Sequence, residues 1–174
     1  KKGDVAAILM EPAMTNIGIV LPEKGYLEGV GALAKKYGAV WIIDETHTIS
    51  VGPGGMTKKY KLKPDMLTIG KAIAGGLPTG TFGMTKAIAD QIAAKVKREI
   101  VDTGGIGSTL AGNALSAAAM RMTLKSVLNE KNFKKMIALG TRWSDGVDAA
   151  IKEFGLPWHC NRLGARGEYI FASK

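Results

Sequence analysis

The sequence has few of the residues that mark secreted, metal-binding or membrane-spanning proteins. Its 174 residues include a single cysteine, Cys160, and only two histidines. One cysteine cannot form an internal disulfide, so a reducing, cytoplasmic setting is the simplest expectation. His159 stands beside Cys160 in a predicted loop, but a metal site needs more ligands at short spacing, and we expect none. No apolar run approaches the roughly 20 residues of a membrane span, and no signal peptide is visible.

Acidic residues are the scarcer of the two charged classes. There are 15 Asp and Glu against 24 Lys and Arg, so the formal net charge is +9. Such an excess can indicate binding to nucleic acid. However, the lysines are spread over the chain and no basic motif is interleaved with aromatic residues, so no nucleic-acid partner is expected. A basic pocket for an anionic cofactor is a more specific explanation of the charge.

The first half of the chain alternates short apolar runs with helical patterns. Strand, helix and strand in succession are typical of a parallel βαβ unit, so an α/β fold is expected. Gly38 stands where a C-cap glycine would end the first helix. Strands are predicted over residues 4–10, 39–43, 65–70, 81–85 and 168–172. Helices are predicted over residues 26–37 and 87–97, from residue 115 onward, and over 133–154. A loop is predicted at residues 104–113.

The organisation of the chain changes in its second half. Helical patterns dominate after about residue 113, and a domain change is expected between residues 127 and 131. The chain begins with Lys1 rather than methionine, on a segment that already has strand character, and it stops after another strand-like run. We therefore expect that it is a piece of a longer protein.

Asp44 and Lys71 are the strongest candidates for chemistry, because each follows a short apolar run. In open parallel sheets, ligands bind at the carboxyl ends of the strands, so both side chains are expected to point into one crevice. A buried acid and a buried lysine could form an ion pair there. They could also be the two fixed points of a cofactor.

The positions of the glycines near Lys71 distinguish a phosphate-binding lysine from a nucleophilic lysine. A phosphate-binding P-loop needs a glycine five residues before its Gly-Lys pair and a Ser or Thr after it. The segment here is DMLTIGKAIAGGLP, with Ala72 after the lysine, so the P-loop is excluded. The paired glycines follow the lysine instead, where a tight turn lets an amine project as a nucleophile toward a carbonyl. A lysine of this kind together with a carboxylate suits pyridoxal phosphate, whose ring nitrogen needs an acidic partner.

Four motifs resemble those of class III aminotransferases, which are fold type I pyridoxal-phosphate enzymes. Within that family, the form EPxxxNxG and the segment GKxIxGGLP are most similar to the glutamate-1-semialdehyde aminomutase-like branch. Each motif alone is weak, but four in register are specific, and together they cover nearly the whole chain. The motifs are EPAMTNIG (residues 11–18), IIDETHT (42–48), PDMLTIGKAIAGGLP (64–78) and GSTLAGNALSAAA (107–119).

The resemblance implies a role for each matching residue. Lys71 would form the Schiff base with the cofactor, and Asp44 would keep the pyridine nitrogen protonated. Thr109 would reach the cofactor phosphate, in this family usually that of the neighbouring subunit. Glu11 would help to position the acid that follows the strand, and Asn16 lies in the loop beside it.

Two positions depart from the family pattern. Thr46 stands where the family usually has a valine that packs on the cofactor ring, and the threonine methyl group could do the same. His47 stands where glutamine or methionine is frequent. His47 could hydrogen-bond the ring oxygen or the substrate, or it could be an ordinary structural histidine. Both departures leave the substrate and the reaction type open.

The resemblance also implies an organisation and a function. Residues 1–128 would be the second half of a large cofactor-binding domain with a linking helix, and residues 129–174 the beginning of a small α+β domain. Family members are much longer and form homodimers with the active site at the subunit interface, so the chain alone should lack a complete site.

The expected function is an aminotransferase that moves an amino group between an amino donor and a keto acid or aldehyde. An aminomutase, racemase or decarboxylase on the same fold is the first alternative. A non-catalytic dimerisation module or basic binding module is the second.

Overall fold

A computed structural model describes residues 3–95 and 111–173, which form a four-stranded sheet, flanking helices and a two-stranded hairpin. The sheet contains β1 (Ala7–Met10), β2 (Val40–Asp44), β3 (Met66–Gly70) and β4 (Gly80–Met84) in that spatial order. The first three strands are parallel and β4 runs antiparallel to β3. The predicted α/β fold with a mostly parallel sheet is therefore confirmed.

The longer helices follow the apolar periodicity of the sequence. The first, α1 (Tyr26–Tyr37), ends at Gly38, which adopts a left-handed conformation with φ of 68° and closes the helix as a C-cap. The other helices are α2 (Gly55–Lys59), α3 (Lys86–Lys95), α4 (Ala114–Met122), which continues as a π-helical turn over Thr123–Val127, and α5 (Glu130–Glu153). No helix within the described ranges has the length and apolar character needed to cross a bilayer.

Several boundaries differ from the predictions. The first strand begins at Ala7 rather than at residue 4, and the last predicted strand is observed over Arg166–Ile170. Two short elements between β2 and β3 were not predicted: a 3-10 turn at Thr48–Val51 and α2. Each is only four or five residues long, too short for a helical period to show. Predicted residues 96–97 of the third helix and 104–110 of the loop lie outside the described residues.

The prediction that His159 and Cys160 lie in a loop is wrong. They begin strand β5 (His159–Leu163), which pairs antiparallel with β6 (Arg166–Ile170). The β5 sequence HCNRL has no apolar alternation, so its strand character comes from pairing with β6. An edge-to-face aromatic contact between Trp158 and Phe171, with ring centroids 4.6 Å apart, closes the open end of this hairpin.

The hairpin is fastened to the loops that follow β1 and β2. The N–H of Ala165 donates to the Ser50 carbonyl at 3.0 Å, and the Ser50 hydroxyl donates to the Leu163 carbonyl at 2.9 Å. The Asn161 side chain donates to the carbonyl of Ile19 at 3.0 Å. These contacts bring β6 to the edge of the sheet where β2 and β3 end.

Two apolar clusters form the core of the described residues. One contains Ala34, Trp41 and Ile43, where α1 packs on β2. The other joins the loop after β1, helix α1, helix α2 and the hairpin. Its buried members are Ala13, Ile19, Leu27, Met56 and Leu163.

Candidate active site

The predicted acid and lysine follow neighbouring parallel strands. Asp44 is the last residue of β2, and Lys71 comes directly after β3, so both lie at the carboxyl edge of the sheet. Lys71 has a φ of 47°, an uncommon left-handed conformation for a residue other than glycine. The backbone turns sharply at this residue and enters a 3-10 turn over Lys71–Ala74.

Thr46 connects the two strand ends. Its backbone N–H donates to Oδ1 of Asp44 at 2.8 Å, and its hydroxyl accepts from the N–H of Gly70 at 3.1 Å. Thr46 thereby orients the Asp44 carboxylate and holds the residue that immediately precedes Lys71. A valine at this position could pack a methyl group but could not accept the hydrogen bond from Gly70.

Glu45 is a structural residue of the site that the sequence did not single out. Its side chain is 1% exposed. Oε1 accepts from the backbone and the hydroxyl of Thr57 at 2.5 and 2.6 Å, and Oε2 accepts from Thr48 Oγ1 at 2.5 Å and Met56 N at 3.1 Å. These four bonds satisfy a buried carboxylate and fold the segment after Asp44 back onto the sheet.

A chain of hydrogen bonds runs from the Lys71 amine to a carboxylate. Lys71 Nζ hydrogen-bonds Nε2 of His47, and Nδ1 of His47 hydrogen-bonds the hydroxyl of Thr15. The Thr15 hydroxyl in turn donates to Oε2 of Glu11. Glu11 Oε2 lies 3.6 Å from His47 Nδ1, too far for a direct hydrogen bond between them.

Burial lowers the pKa of His47 below its ordinary value of 6.5. The positive charges of Lys71 and Arg166 also lower it, while the carboxylates of Glu11 and Asp44 oppose the change without cancelling it. A histidine whose pKa is lowered is neutral near pH 7, so one ring nitrogen of His47 is free to accept a hydrogen bond.

Arg166 on β6 is a second residue that sequence reasoning missed. Its Nε donates to Glu168 Oε1 at 2.7 Å, and its Nη2 donates to the carbonyl of Thr15 at 3.0 Å. The guanidinium group therefore holds the backbone of Thr15, the residue that hydrogen-bonds both His47 and Glu11. No sequence motif indicates this contact, because 151 residues separate its two members.

The other predicted site residues are placed differently. Lys71 is exposed rather than buried. Asn16 is exposed, and its side chain makes no hydrogen bond within the described ranges. Thr109 lies outside the described residues. The same ranges contain no group of three or more His, Cys, Asp or Glu side chains arranged to hold a metal ion.

The groups at the sheet edge fit pyridoxal phosphate. The Asp44 carboxylate uses Oδ1 for Thr46, and no described residue donates to its Oδ2, which leaves an acceptor for a ring N–H. Lys71 lines a cavity of about 590 Å³ together with Thr79, whose buried hydroxyl has no hydrogen-bond partner in the described part of the chain. A carboxylate, an accessible amine and an unsatisfied hydroxyl are the kinds of groups that this cofactor uses.

Comparison with known proteins places the chain in a family. The family model for aminotransferase class-III matches residues 1–154. The chain belongs to the class III aminotransferase family. This family consists of enzymes that use pyridoxal phosphate, so the resemblance carried by the four sequence motifs is confirmed.

The curated relatives that the chain matches are much longer than it. It is 36% identical over 175 aligned residues to a glutamate-1-semialdehyde 2,1-aminomutase of Anaeromyxobacter dehalogenans, in an alignment that covers 100% of the chain and 39% of the relative. The chain thus spans about 39% of the length of the curated relatives that it matches.

Solved structures of the family have the same fold. A glutamate-1-semialdehyde aminomutase variant from Pseudomonas aeruginosa PAO1, in complex with PMP, matches 99% of the chain and 39% of its own length, with 43% identity and a TM-score of 0.91. An omega-transaminase from Sphaerobacter thermophilus matches 97% of the chain and 37% of its own length, with 25% identity and a TM-score of 0.77.

Proposed function

We propose that the protein carrying this chain is a pyridoxal-phosphate-dependent aminomutase, which moves an amino group between two carbons of one small amino aldehyde or amino acid. The observation that carries the pyridoxal-phosphate chemistry of this proposal is the position of Asp44 and Lys71 at the ends of adjoining strands. The proposal is further supported by 36–43% identity over the whole chain to proteins named glutamate-1-semialdehyde aminomutase. Those names favour the aminomutase over the aminotransferase that the sequence analysis placed first.

Each residue at the sheet edge has a role in this proposal. When bound, pyridoxal phosphate supplies a conjugated ring that withdraws electrons from a substrate carbon. Asp44 would hold a proton on the ring nitrogen, and Lys71 would bind the cofactor covalently through Nζ. Once the substrate amine has released it, the Lys71 amine would take up a proton from the substrate and return it at another carbon.

The remaining residues would support this pair. Thr46 would hold the Asp44 carboxylate and the backbone before Lys71, through the contacts described above. Thr109 would bind the cofactor phosphate, and Asn16 would line the substrate side of the loop after β1. Glu11 would act through Thr15 and His47, because its hydrogen bonds lead to them.

The organisation of the whole protein belongs to the same proposal. We infer a homodimer, as the resemblance to class III aminotransferases implies. Large apolar side chains are exposed on this chain and are available to a partner subunit or to the rest of the polypeptide; Leu9, Ile17, Leu115 and Phe154 are each 65–72% exposed. We infer a domain boundary after residue 128, where Leu128 separates the π-helical turn from α5, and α5 packs on β5 and β6. A cytoplasmic location would suit the unpaired Cys160.

An aminotransferase is the second candidate function. The 25% identity to the omega-transaminase of Sphaerobacter thermophilus favours it. His47 and Thr46, which depart from the family pattern, lie beside Lys71 and could change which carbon receives the proton. The two functions differ in one requirement, since only an aminotransferase needs a separate keto acceptor.

Product analysis with and without an acceptor tests the proposal. The intact, cofactor-loaded protein should convert glutamate 1-semialdehyde to its amino-shifted isomer with no keto acid present. Lys71→Ala should lose this activity by at least about 10³-fold, the size expected when a proton-transferring group is removed.

Lys61→Ala provides the matched control for this experiment. Lys61 is also an exposed lysine, and it has the only other positive φ among the described residues that are not glycine, at 54°. Its replacement should leave activity unchanged. Turnover that appears only when a keto acid is added would instead assign the protein to the aminotransferases.

A further inference from the structure

The hydrogen-bond directions beside Lys71 can be assigned by counting protons. A lysine ammonium group has only donors, so Nζ of Lys71 donates to Nε2 of His47. The single hydroxyl proton of Thr15 is already given to Glu11 Oε2, which leaves only acceptor capacity toward His47. Nδ1 of His47 must therefore carry the imidazole proton and donate it to Thr15. The hydrogen bond from Lys71 and the hydrogen bond to Thr15 therefore assign the same tautomer to His47.

We propose that Glu11 and Thr15 fix His47 in its Nδ1-protonated form, so that its unprotonated Nε2 holds the Lys71 amine. This assigns His47 to the lysine rather than to a cofactor ring oxygen or to the substrate. Thr15 and Glu11 are then positioning residues, which act on the lysine through His47. The inference deepens the proposed function. It rests on that function for the role of Lys71, which is to attach the cofactor and to transfer a proton.

Burial makes this arrangement specific. Thr15 is 1% exposed, and the His47 side chain is 12% exposed, so water cannot easily replace either partner. A buried hydroxyl that loses a partner carries a desolvation penalty. The Thr15 hydroxyl donates to Glu11 because a carboxylate has only acceptors, and this choice determines which nitrogen of His47 is protonated.

The charges around His47 agree with a neutral ring. Lys71 and Arg166 face it with positive charge, and its lowered pKa keeps the imidazole unprotonated at one nitrogen near pH 7. Glu11 and Asp44 face it with negative charge. Arg166 also donates to the Thr15 carbonyl, so β6 fixes the backbone of the threonine that sets the tautomer.

The contact helps an amine that takes up and returns a proton. When Nζ removes a proton from a substrate carbon, the C–H bond breaks, a third N–H bond forms, and the electron pair stays with the substrate. The resulting ammonium group needs an acceptor other than the reacting carbon. Nε2 of His47 supplies that acceptor without removing a proton from the lysine.

The tautomer of His47 can be measured directly in the intact protein before any cofactor is added. Long-range ¹H–¹⁵N spectra of histidine-labelled protein report which ring nitrogen is protonated, and His47→Gln identifies the His47 signals by their loss. We expect the Nδ1-protonated form in the wild type. The Nε2-protonated form in the wild type would overturn the proposal.

Two threonine variants separate positioning from packing. Thr15→Val keeps the shape of the side chain and removes the hydroxyl, so His47 should change to the Nε2-protonated form. Nε2 can then no longer accept from Lys71. The Lys71 amine should therefore be acylated about three- to tenfold faster at fixed pH, as expected for the loss of one hydrogen bond. Thr15→Ser keeps the hydroxyl and should restore both wild-type results.

The outcomes separate this inference from the proposed function. Equal acylation rates in the wild type and in Thr15→Val, with the His47 tautomer unchanged, would contradict the positioning role. Neither readout requires pyridoxal phosphate or turnover. Loss of the proposed function would instead appear as a failure of the cofactor to attach to Lys71, with the tautomer still as described.

Discussion

His47 lies in the middle of the series of hydrogen bonds, between the Lys71 amine and the Thr15 hydroxyl. Its pKa is lowered in the folded protein, chiefly by burial. The unfolded chain therefore binds a proton more readily than the folded protein once the pH falls below the ordinary value of 6.5. The contribution of neutral His47 to stability is complete above that pH and is lost as the pH falls.

This sign gives a testable pH dependence. The urea midpoint of unfolding of the wild type should fall between about pH 7.5 and pH 5.5, a range that spans the ordinary titration of histidine. His47→Gln should show a smaller fall, because the titrating group is gone. His159→Gln leaves His47 in place and serves as the control. An identical pH dependence in the wild type and in His47→Gln would contradict the argument.

Single residues also show how far sequence reasoning reaches. Asp44 and Lys71 could be predicted because apolar runs mark the strands, and the end of a parallel strand is where ligands bind. Thr15 and Arg166 could not, because a buried hydroxyl and a guanidinium group become partners only once the backbone path is known. The exposure of Lys71 was also not predictable, since it depends on what covers the strand end.

Among the helices, α5 offers a matched pair of glycines. A Cβ atom added at Gly140 would lie 2.8 Å from the carbonyl oxygen of Ala165 in the turn between β5 and β6. A Cβ added at Gly146 would meet nothing within 4 Å. Gly140 therefore allows the helix to approach the hairpin, while Gly146 lies on an open face of the same helix.

Alanine at these two positions should have opposite effects. Gly146→Ala should stabilise the protein by about 0.5–1 kcal/mol, because alanine loses less backbone entropy in a helix. Gly140→Ala should destabilise it by about 1–3 kcal/mol, because the hairpin turn must move away. Urea unfolding measures both changes, and equal stabilisation by the two substitutions would show that the helix does not approach the hairpin so closely.

Elements differ in how well the sequence predicts them. The twelve residues of α1 have the bounds that its apolar period and Gly38 indicate, because the buried apolar face and the C-cap favour the same helix. Strand β5 has polar residues at most positions, and its conformation depends on β6 and α5. The short elements after β2 depend on Glu45, whose buried carboxylate binds the start of α2.

Across the whole molecule, order and spacing were more informative than composition. The basic net charge left several kinds of ligand open, whereas four motifs in register predicted the family that the comparison then showed. The reaction was harder to predict, because aminomutases and aminotransferases share the acid, the lysine and the fold. The chain also spans only about 39% of the length of its curated relatives.

The proposed function requires above all that the amine at the end of β3 attaches pyridoxal phosphate. The most direct test is to load the intact protein with the cofactor, reduce it with borohydride, digest it and locate the phosphopyridoxyl group by mass spectrometry. We expect modification of Lys71 alone, no modification in Lys71→Ala, and unchanged modification in Lys61→Ala. Modification of another lysine, or of many lysines equally, would contradict the proposed function.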